Sequence, residues 1–269
     1  MKRDRHRLPV LALALGLLGA SFGGTPAPAG GLSDRKPNSG VATAHAMPIQ
    51  GIDVSYFQGD IDWKKVDGAG IHFVYIKATE GADRFDPKFL DNWRGARKAG
   101  IVRGAYHVMY WCSLASEQAS WFVSHVPNDS GMLPPVLDVE WNSYSKTCPH
   151  QISREAAIAK MKVMLAAMEA HTGRRPIIYT DPKFHHDVLE GEFTDYQFWL
   201  RSTAATPKAK YRGRDWSFWQ FTTTGRVPGV AGAVDRNSYN GTPAEWTRAV
   251  KRLQAERVAT EAAPASVSQ

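Results

Sequence analysis

Asp138 and Glu140 stand two residues apart in Pro134-Pro135-Val136-Leu137-Asp138-Val139-Glu140-Trp141. Val136, Leu137 and Val139 favour a strand, and strand side chains alternate between two sides, so the two carboxyls share one side and Val139 takes the other. The pair closes an apolar run and abuts Trp141, where lost hydration and mutual repulsion push the two pKa values apart. A protonated and an ionised carboxyl side by side meet the requirement for general acid–base chemistry. A Ca²⁺ ligand pair or a solvated strand end would use the same residue types.

Two further acids lie on apolar runs: Asp53 in Gly51-Ile52-Asp53-Val54-Ser55 and Asp235 in Ala233-Val234-Asp235-Arg236-Asn237. The elements that must position them read as repeated βα. Strands are expected over Gly51–Phe57, Phe73–Ala78, Val102–Met109, Val136–Trp141 and Pro176–Tyr179. They alternate with helices near Asp62–Ala69, Pro87–Ala99, Leu114–Val126 and Arg154–His171, and with a short one after Pro182. Asp86 and Pro87 read as an N-cap and first-turn proline, Gly100 and Gly173 as helix stops, and Ile158, Met161, Leu165 and Met168 as one apolar face. Phe198–Ser202, Trp216–Thr222 and Ala233–Tyr239 look like strands with no full helix between them. Thr242-Pro243-Ala244-Glu245 is a capping box that opens a last helix. Eight strands, five followed by helices and three nearly bare, make an α/β fold of the irregular (β/α)5β3 TIM-like barrel type. A flavodoxin-like open sheet is the alternative, although no glycine-rich phosphate loop follows any strand. In such a barrel chemistry sits at the C-terminal strand ends. First and last strands are neighbours once the barrel closes, so Asp53 and Asp235 would meet and face Asp138 and Glu140 across its mouth.

The 269 residues, 43% of them hydrophobic, suffice for one barrel-sized core or two small domains. Residues 1–29 read as a secretory signal: Lys2, Arg3, Arg5 and Arg7 precede an apolar run, and Ala27-Pro28-Ala29 offers a cleavage site, with Ala44-His45-Ala46 a second choice. An uncleaved anchor is the alternative. These residues carry four of the basic side chains and one acid, so the full chain's net charge of +7 falls to +4 without them. Lys and Arg are scattered rather than gathered in a stripe, which argues against nucleic acid. Residues 30–48 read as a flexible linker, 49–257 as the barrel domain and 258–269 as a disordered tail. The expected location is secreted or periplasmic, with no membrane association after signal cleavage. Two cysteines, Cys112 and Cys148, fall in loops past strand ends; an even count in an exported protein favours one disulfide, and two buried free thiols are the alternative.

Gly51-Ile52-Asp53-Val54-Ser55, Gln58-Gly59, Ile61-Asp62-Trp63, Phe73-Val74-Tyr75-Ile76-Lys77-Ala78-Thr79-Glu80-Gly81, Gly104-Ala105-Tyr106-His107, Asp138-Val139-Glu140 and Trp219-Gln220-Phe221 occur in that order. In this combination the chain, over roughly residues 49–241, resembles the family 25 glycoside hydrolases, the Chalaropsis-type lysozymes or N-acetylmuramidases. The resemblance implies a (β/α)5β3 barrel and hydrolysis of the β-1,4 bond between N-acetylmuramic acid and N-acetylglucosamine in peptidoglycan glycan strands. It puts the acid on Glu140, its partner carboxylate on Asp138 and supporting aspartates on Asp53 and Asp235. Tyr106 and Tyr179 match positions that line the substrate groove. The sixth strand departs from the family's usual Trp-x-Ala-x-Tyr: Phe198-Trp199-Leu200-Arg201-Ser202 keeps Trp199 and lacks the tyrosine platform. No repeat-type wall-binding module is present.

Nine Trp and nine Tyr supply flat faces for pyranose rings. Tyr106, Tyr179 and Trp219 are the expected groove residues, with Trp199 beside them, and Trp93 and Trp246 the expected packing residues. His107 follows Tyr106 and so points away from the groove. His185-His186 lacks the i, i+4 spacing of a helical metal pair, so neither metal nor cofactor is expected. A monomer is expected. The position of Glu140 at the strand end beside Trp141 assigns it the raised pKa and leaves Asp138 ionised. A non-catalytic peptidoglycan-binding protein on the same barrel is the alternative from another class, and a chitinase-like polysaccharide hydrolase the alternative among enzymes.

Overall fold

The computed structural model describes residues 40–129 and 131–262. The proposed signal and the first ten residues of the expected linker lie outside them. Nine strands are present among the described residues: β1 (Gln50–Val54), β2 (Ile71–Glu80), β3 (Arg84–Phe85), β4 (Val102–Val108), β5 (Val136–Val139), β6 (Ile177–Thr180), β7 (Gln197–Arg201), β8 (Phe218–Gly225) and β9 (Val234–Tyr239). The short β3 folds back antiparallel on the end of β2. The other eight close on themselves in the order β1-β2-β4-β5-β6-β7-β8-β9, because β1 pairs with both β2 and β9. Pairing is parallel from β1 to β8, and β9 runs antiparallel to both neighbours.

Helices follow the first five barrel strands as read from the sequence: α2 (Trp63–Gly68), α3 (Phe89–Ala99), α4 (Ala115–His125), α5 (Arg154–Thr172) and α6 (Pro182–Phe184), which continues as a π turn to Leu189. A four-residue α7 (Pro207–Lys210) links β7 to β8, and α8 spans Pro243–Ala262. Met161, Leu165 and Met168 of α5 are buried, joined by Met164. Glu245 and Thr242 complete the capping box of α8 with reciprocal bonds of 2.7 and 3.2 Å.

Both faces of every barrel strand are covered, which sorts side chains by parity. Ile52, Val74, Ile76, Leu137, Val139, Ile178 and Leu200 face the helices. Phe73, Tyr75, Val136, Ile177, Tyr179, Trp199 and Phe218 fill the interior, with Trp246 and Leu253 of α8 packed against them. Two interior glycines make this filling fit, since a Cβ on Gly51 would lie 2.4 Å from the Phe73 ring and one on Gly104 2.3 Å from the Tyr75 ring. His107, on the outer face of β4, is buried between Thr79 and Gln118 at 2.8 and 3.2 Å.

Three local readings are corrected. Residues 40–48 are not all linker: α1 (Ala42–His45) seats Ala44 in a cluster with Trp219 and Phe221, and Gln50 Nε2 donates to the carbonyls of Ala44 and Met47. Tertiary packing there overrides a Gly/Pro/Ala-rich composition. Asp86 does not cap α3, whose N-cap is Lys88; its carboxylate instead accepts from the amides of Tyr56 and Lys88 at 2.9 Å each. Residues 258–262, read as tail, continue α8, and 263–269 lie outside the described residues.

Cys112 and Cys148 are bonded and tie the segment after β4 to the one after β5. The bridge spans 36 residues, for which loop entropy gives on the order of 3–4 kcal/mol. The Cys112→Ser/Cys148→Ser double variant is therefore expected to lose about that much in urea unfolding. An unchanged midpoint and slope would show that the bridge stabilises nothing.

Candidate active site

The parity of β5 sends Val136, Asp138 and Glu140 inward, so the two carboxyls stand at the C-terminal mouth of the barrel above the aromatic interior. Asp53 on β1 and Asp235 on β9 are direct cross-strand partners. Asp53 Oδ2 accepts from Gln220 Nε2 at 2.9 Å and Asn237 Nδ2 at 2.8 Å. Both amide orientations are fixed from behind. The Trp199 indole N–H, a donor only, gives its hydrogen to Asn237 Oδ1 at 2.8 Å, and the Tyr179 hydroxyl donates to Gln220 Oε1 at 2.8 Å. An ionised Asp53 is thus held by two N–H donors whose placement the barrel interior dictates.

Burial raises the pKa of all four acids, and their neighbours then separate them. Asp235 is pushed to about 8 by lost hydration and then by the Asp53 charge, so at neutral pH it holds a proton that it shares with Asp53. Glu140 is raised to about 7, by burial first, while Arg201 opposes. Arg201 Nη1 lies 3.4 Å from Glu140 Oε2, and Nη2 lies 3.5 Å from Asp181 Oδ2. Asp138 is raised well above the carboxylate range, by burial first and the Glu140 charge second. Its Oδ1 is buried and has no hydrogen-bond partner among the described residues. The sequence reading, in which Glu140 alone carries the raised pKa, is corrected: burial raises Asp138 as well, and the Glu140 charge adds to it while Lys77 and Arg201 oppose, so both carboxyls of the unliganded pair resist ionisation.

Two adjoining cavities of about 160 and 200 Å³ share Asp53, Tyr106, Asp138 and Asp235 in their walls. Glu140, Tyr179 and Trp199 belong to the first, so the structure brings together all four acids and three of the four expected groove aromatics. Trp199 forms the floor, stacked on Tyr75 at 4.9 Å. Trp219 is elsewhere: on β8 Gln220 points inward, so Trp219 points out, 2% exposed, with its indole donating to the Ser202 carbonyl and its ring against Trp216. Phe218 lies on one side of the strand and Trp219 and Phe221 on the other, so large apolar residues occupy both sides and alternation does not reveal the phase.

Arg201, Gln220, Asn237 and Asp181 are the site residues the sequence reading missed. For three of them the signal was parity, since Arg201 is two residues from Trp199, Asn237 two from Asp235 and Asp181 two from Tyr179, whereas Gln220 stood in the motif Trp219-Gln220-Phe221. Among the described residues no group of three or more His, Cys, Asp or Glu has the geometry to hold a metal ion. A raised carboxyl beside a second one, backed by a charge-stabilised Asp53, can protonate a leaving oxygen and stabilise positive charge opposite it.

The sequence model of glycosyl hydrolases family 25 matches residues 52–230. Lysozyme M1 of Streptomyces globisporus is 37% identical over 212 residues, covering 76% of this chain and 72% of that protein. The structure of a family 25 glycosyl hydrolase from Bacillus anthracis superposes with a TM-score of 0.69 at 31% identity, over 76% of this chain and 94% of that one. The bacterial lysozyme from Streptomyces coelicolor superposes with a TM-score of 0.65 at 35% identity, over 78% of this chain and 97% of that one. With a family model that matches residues 52–230, these relatives and a mouth lined by four acids, the chain is a glycoside hydrolase and belongs to glycosyl hydrolases family 25.

Proposed function

We propose that this enzyme is an exported N-acetylmuramidase that hydrolyses the β-1,4 bond between N-acetylmuramic acid and N-acetylglucosamine in peptidoglycan. The observation that carries the reading is the raised Glu140 carboxyl beside Asp138 at the floor of an open groove, in a chain whose relatives include lysozymes. Residues 1–29 support export, as does the Cys112–Cys148 bridge, which belongs to an oxidising compartment. None of the described helices is long and apolar enough to cross a membrane.

Glu140 is the general acid. As the bond from the anomeric carbon to the bridging oxygen breaks, that oxygen takes the Glu140 proton and the second sugar leaves as an alcohol. Asp138 Oδ1, without a hydrogen-bond partner among the described residues, accepts the N–H of the substrate's 2-acetamido group and turns its carbonyl oxygen onto the anomeric carbon. Hydrogen bonding to an ionised carboxylate favours that form, so substrate leaves the shared proton on Glu140. Asp53 offsets the positive charge that develops. Glu140, now ionised, takes a proton from the water that opens the cyclic intermediate, and the product retains its anomeric configuration. Mass spectrometry of a digest of purified peptidoglycan tests the bond: fragments should end in reducing N-acetylmuramic acid. Fragments ending in reducing N-acetylglucosamine would overturn the assignment, and an intact polymer would overturn the activity.

The acid's pH dependence has a sign for each neighbour. Glu140 must be protonated, so kcat/KM should fall as pH rises through about 7. Arg201 favours the ionised form and Asp181 disfavours it. Arg201→Ala is therefore expected to move the alkaline limb to higher pH and Asp181→Asn to lower pH. Limbs that move in the same direction in the two variants would remove Glu140 as the titrating group.

A further inference from the structure

The second of the two cavities is the outer one, since its wall includes Phe57 and Tyr144, which are 73% and 75% exposed. Large apolar side chains left this open carry information when the backbone beneath them is held rigid, because the fold gains nothing from presenting them to water. Both backbones are held. Phe57 sits on a 3₁₀ turn, Tyr56–Gln58, that begins three residues after Asp53. Ser55 Oγ accepts from the Phe57 amide at 3.3 Å, Gln58 Oε1 accepts from the Ser55 amide at 2.9 Å, and Asp86 Oδ2 accepts from the Tyr56 amide at 2.9 Å. The Tyr56 ring packs against the Phe57 ring, with centroids 4.1 Å apart. Tyr144 lies in the segment after Glu140, pinned by the amide of Ser145 on the Asn142 carbonyl at 2.8 Å, by the amide of Cys148 on Ser145 Oγ at 3.1 Å, and by the disulfide to Cys112.

Between these two rings the cavity wall is polar, with Ser55, Gln58 and Lys77, and it continues into the carboxylate cavity through Asp53 and Asp138. Aromatic rings in the wall with donors and acceptors between them match one ligand shape, a pyranose ring, whose C–H face is apolar and whose edge carries hydroxyls. A polymer whose reacting ring lies at the carboxylates must place a neighbouring ring here. We propose that Phe57 and Tyr144 form a sugar-stacking subsite that holds an N-acetylhexosamine ring of the same glycan strand, next to the ring at Asp138. The inference rests on the proposed glycan-cleaving function and adds to it the residues that grip the strand.

The test is steady-state kinetics of Phe57→Ala, Tyr144→Ala and Phe57→Trp on peptide-free glycan strands of graded length. Both alanine variants are expected to raise KM on long strands by roughly three- to tenfold, the range for losing one aromatic contact, with kcat within about twofold. Phe57→Trp is expected to restore KM. On the shortest strand the wild type cleaves, too short to reach the outer cavity, all variants should match the wild type; a merely structural role would raise KM equally at every length. Equal rises at all lengths, or an unchanged KM on long strands, would overturn the subsite while leaving the hydrolase intact. Failure of the wild type to cleave any strand would instead overturn the proposed function, and the subsite with it.

Discussion

Glu140→Gln is expected to lower turnover on peptidoglycan by about 10²–10⁴-fold, the range for losing a positioned acid. The amide keeps the side chain's size, so the groove and the Arg201 contact region stay filled and only the transferable proton is gone. An activated aryl glycoside, if the enzyme accepts one, needs no proton on its leaving group, and the variant should recover most activity there. Unfolding does not account for this loss, because the stability sign runs the other way. Glu140 has a folded-state pKa of about 7, above its unfolded value, so its ionised form is disfavoured by folding and stability falls as pH rises toward and through 7. Replacing it with glutamine removes that penalty, and the variant's Tm at pH 8 should equal or exceed the wild type's. A Glu140→Gln enzyme with wild-type turnover on peptidoglycan would remove Glu140 from the mechanism.

Asp138→Asn is expected to lose a similar 10²–10⁴-fold, with a different signature. Asp138 does not serve the leaving group, so an activated aryl glycoside should not restore the variant. The asparagine can still meet the acetamido N–H with its own oxygen, but it carries no charge to stabilise the group as it attacks. Asp138 lies in a buried position where Lys77 is the principal opposing cation and Glu140 the principal repelling charge. Rescue of Asp138→Asn and not of Glu140→Gln on the activated substrate would exchange the two roles.

Much of the architecture was legible because it depends on local rules. Strand residues alternate with period two, helices stop at Gly100 and Gly173, and Thr242 with Glu245 makes a capping box, so the eight barrel strands and their helices were found with shifts of a few residues at the ends. The same parity put Asp138 and Glu140 on one side, and the meeting of Asp53 with Asp235 followed from closing the barrel. Trp219 failed for the complementary reason. Where helices cover one face and aromatic residues fill the other, both positions of a strand are apolar, and the phase is set by which one the closed barrel turns inward.

The residue order alone pointed to the kind of fold and to the pairing of the carboxyls, since each depends on side-chain type and on spacing of a few residues, and it favoured the disulfide because the chain holds two cysteines. Which carboxyl is easier to ionise was settled in three dimensions. It depends on Arg201, 61 positions from Glu140 in the chain yet 3.4 Å away, and on the indole and hydroxyl that orient Asn237 and Gln220 toward Asp53. Electrostatic energies fall with distance through space and with burial, neither of which is encoded in separation along the chain. The raised pKa values of the four acids are therefore a property of the closed barrel.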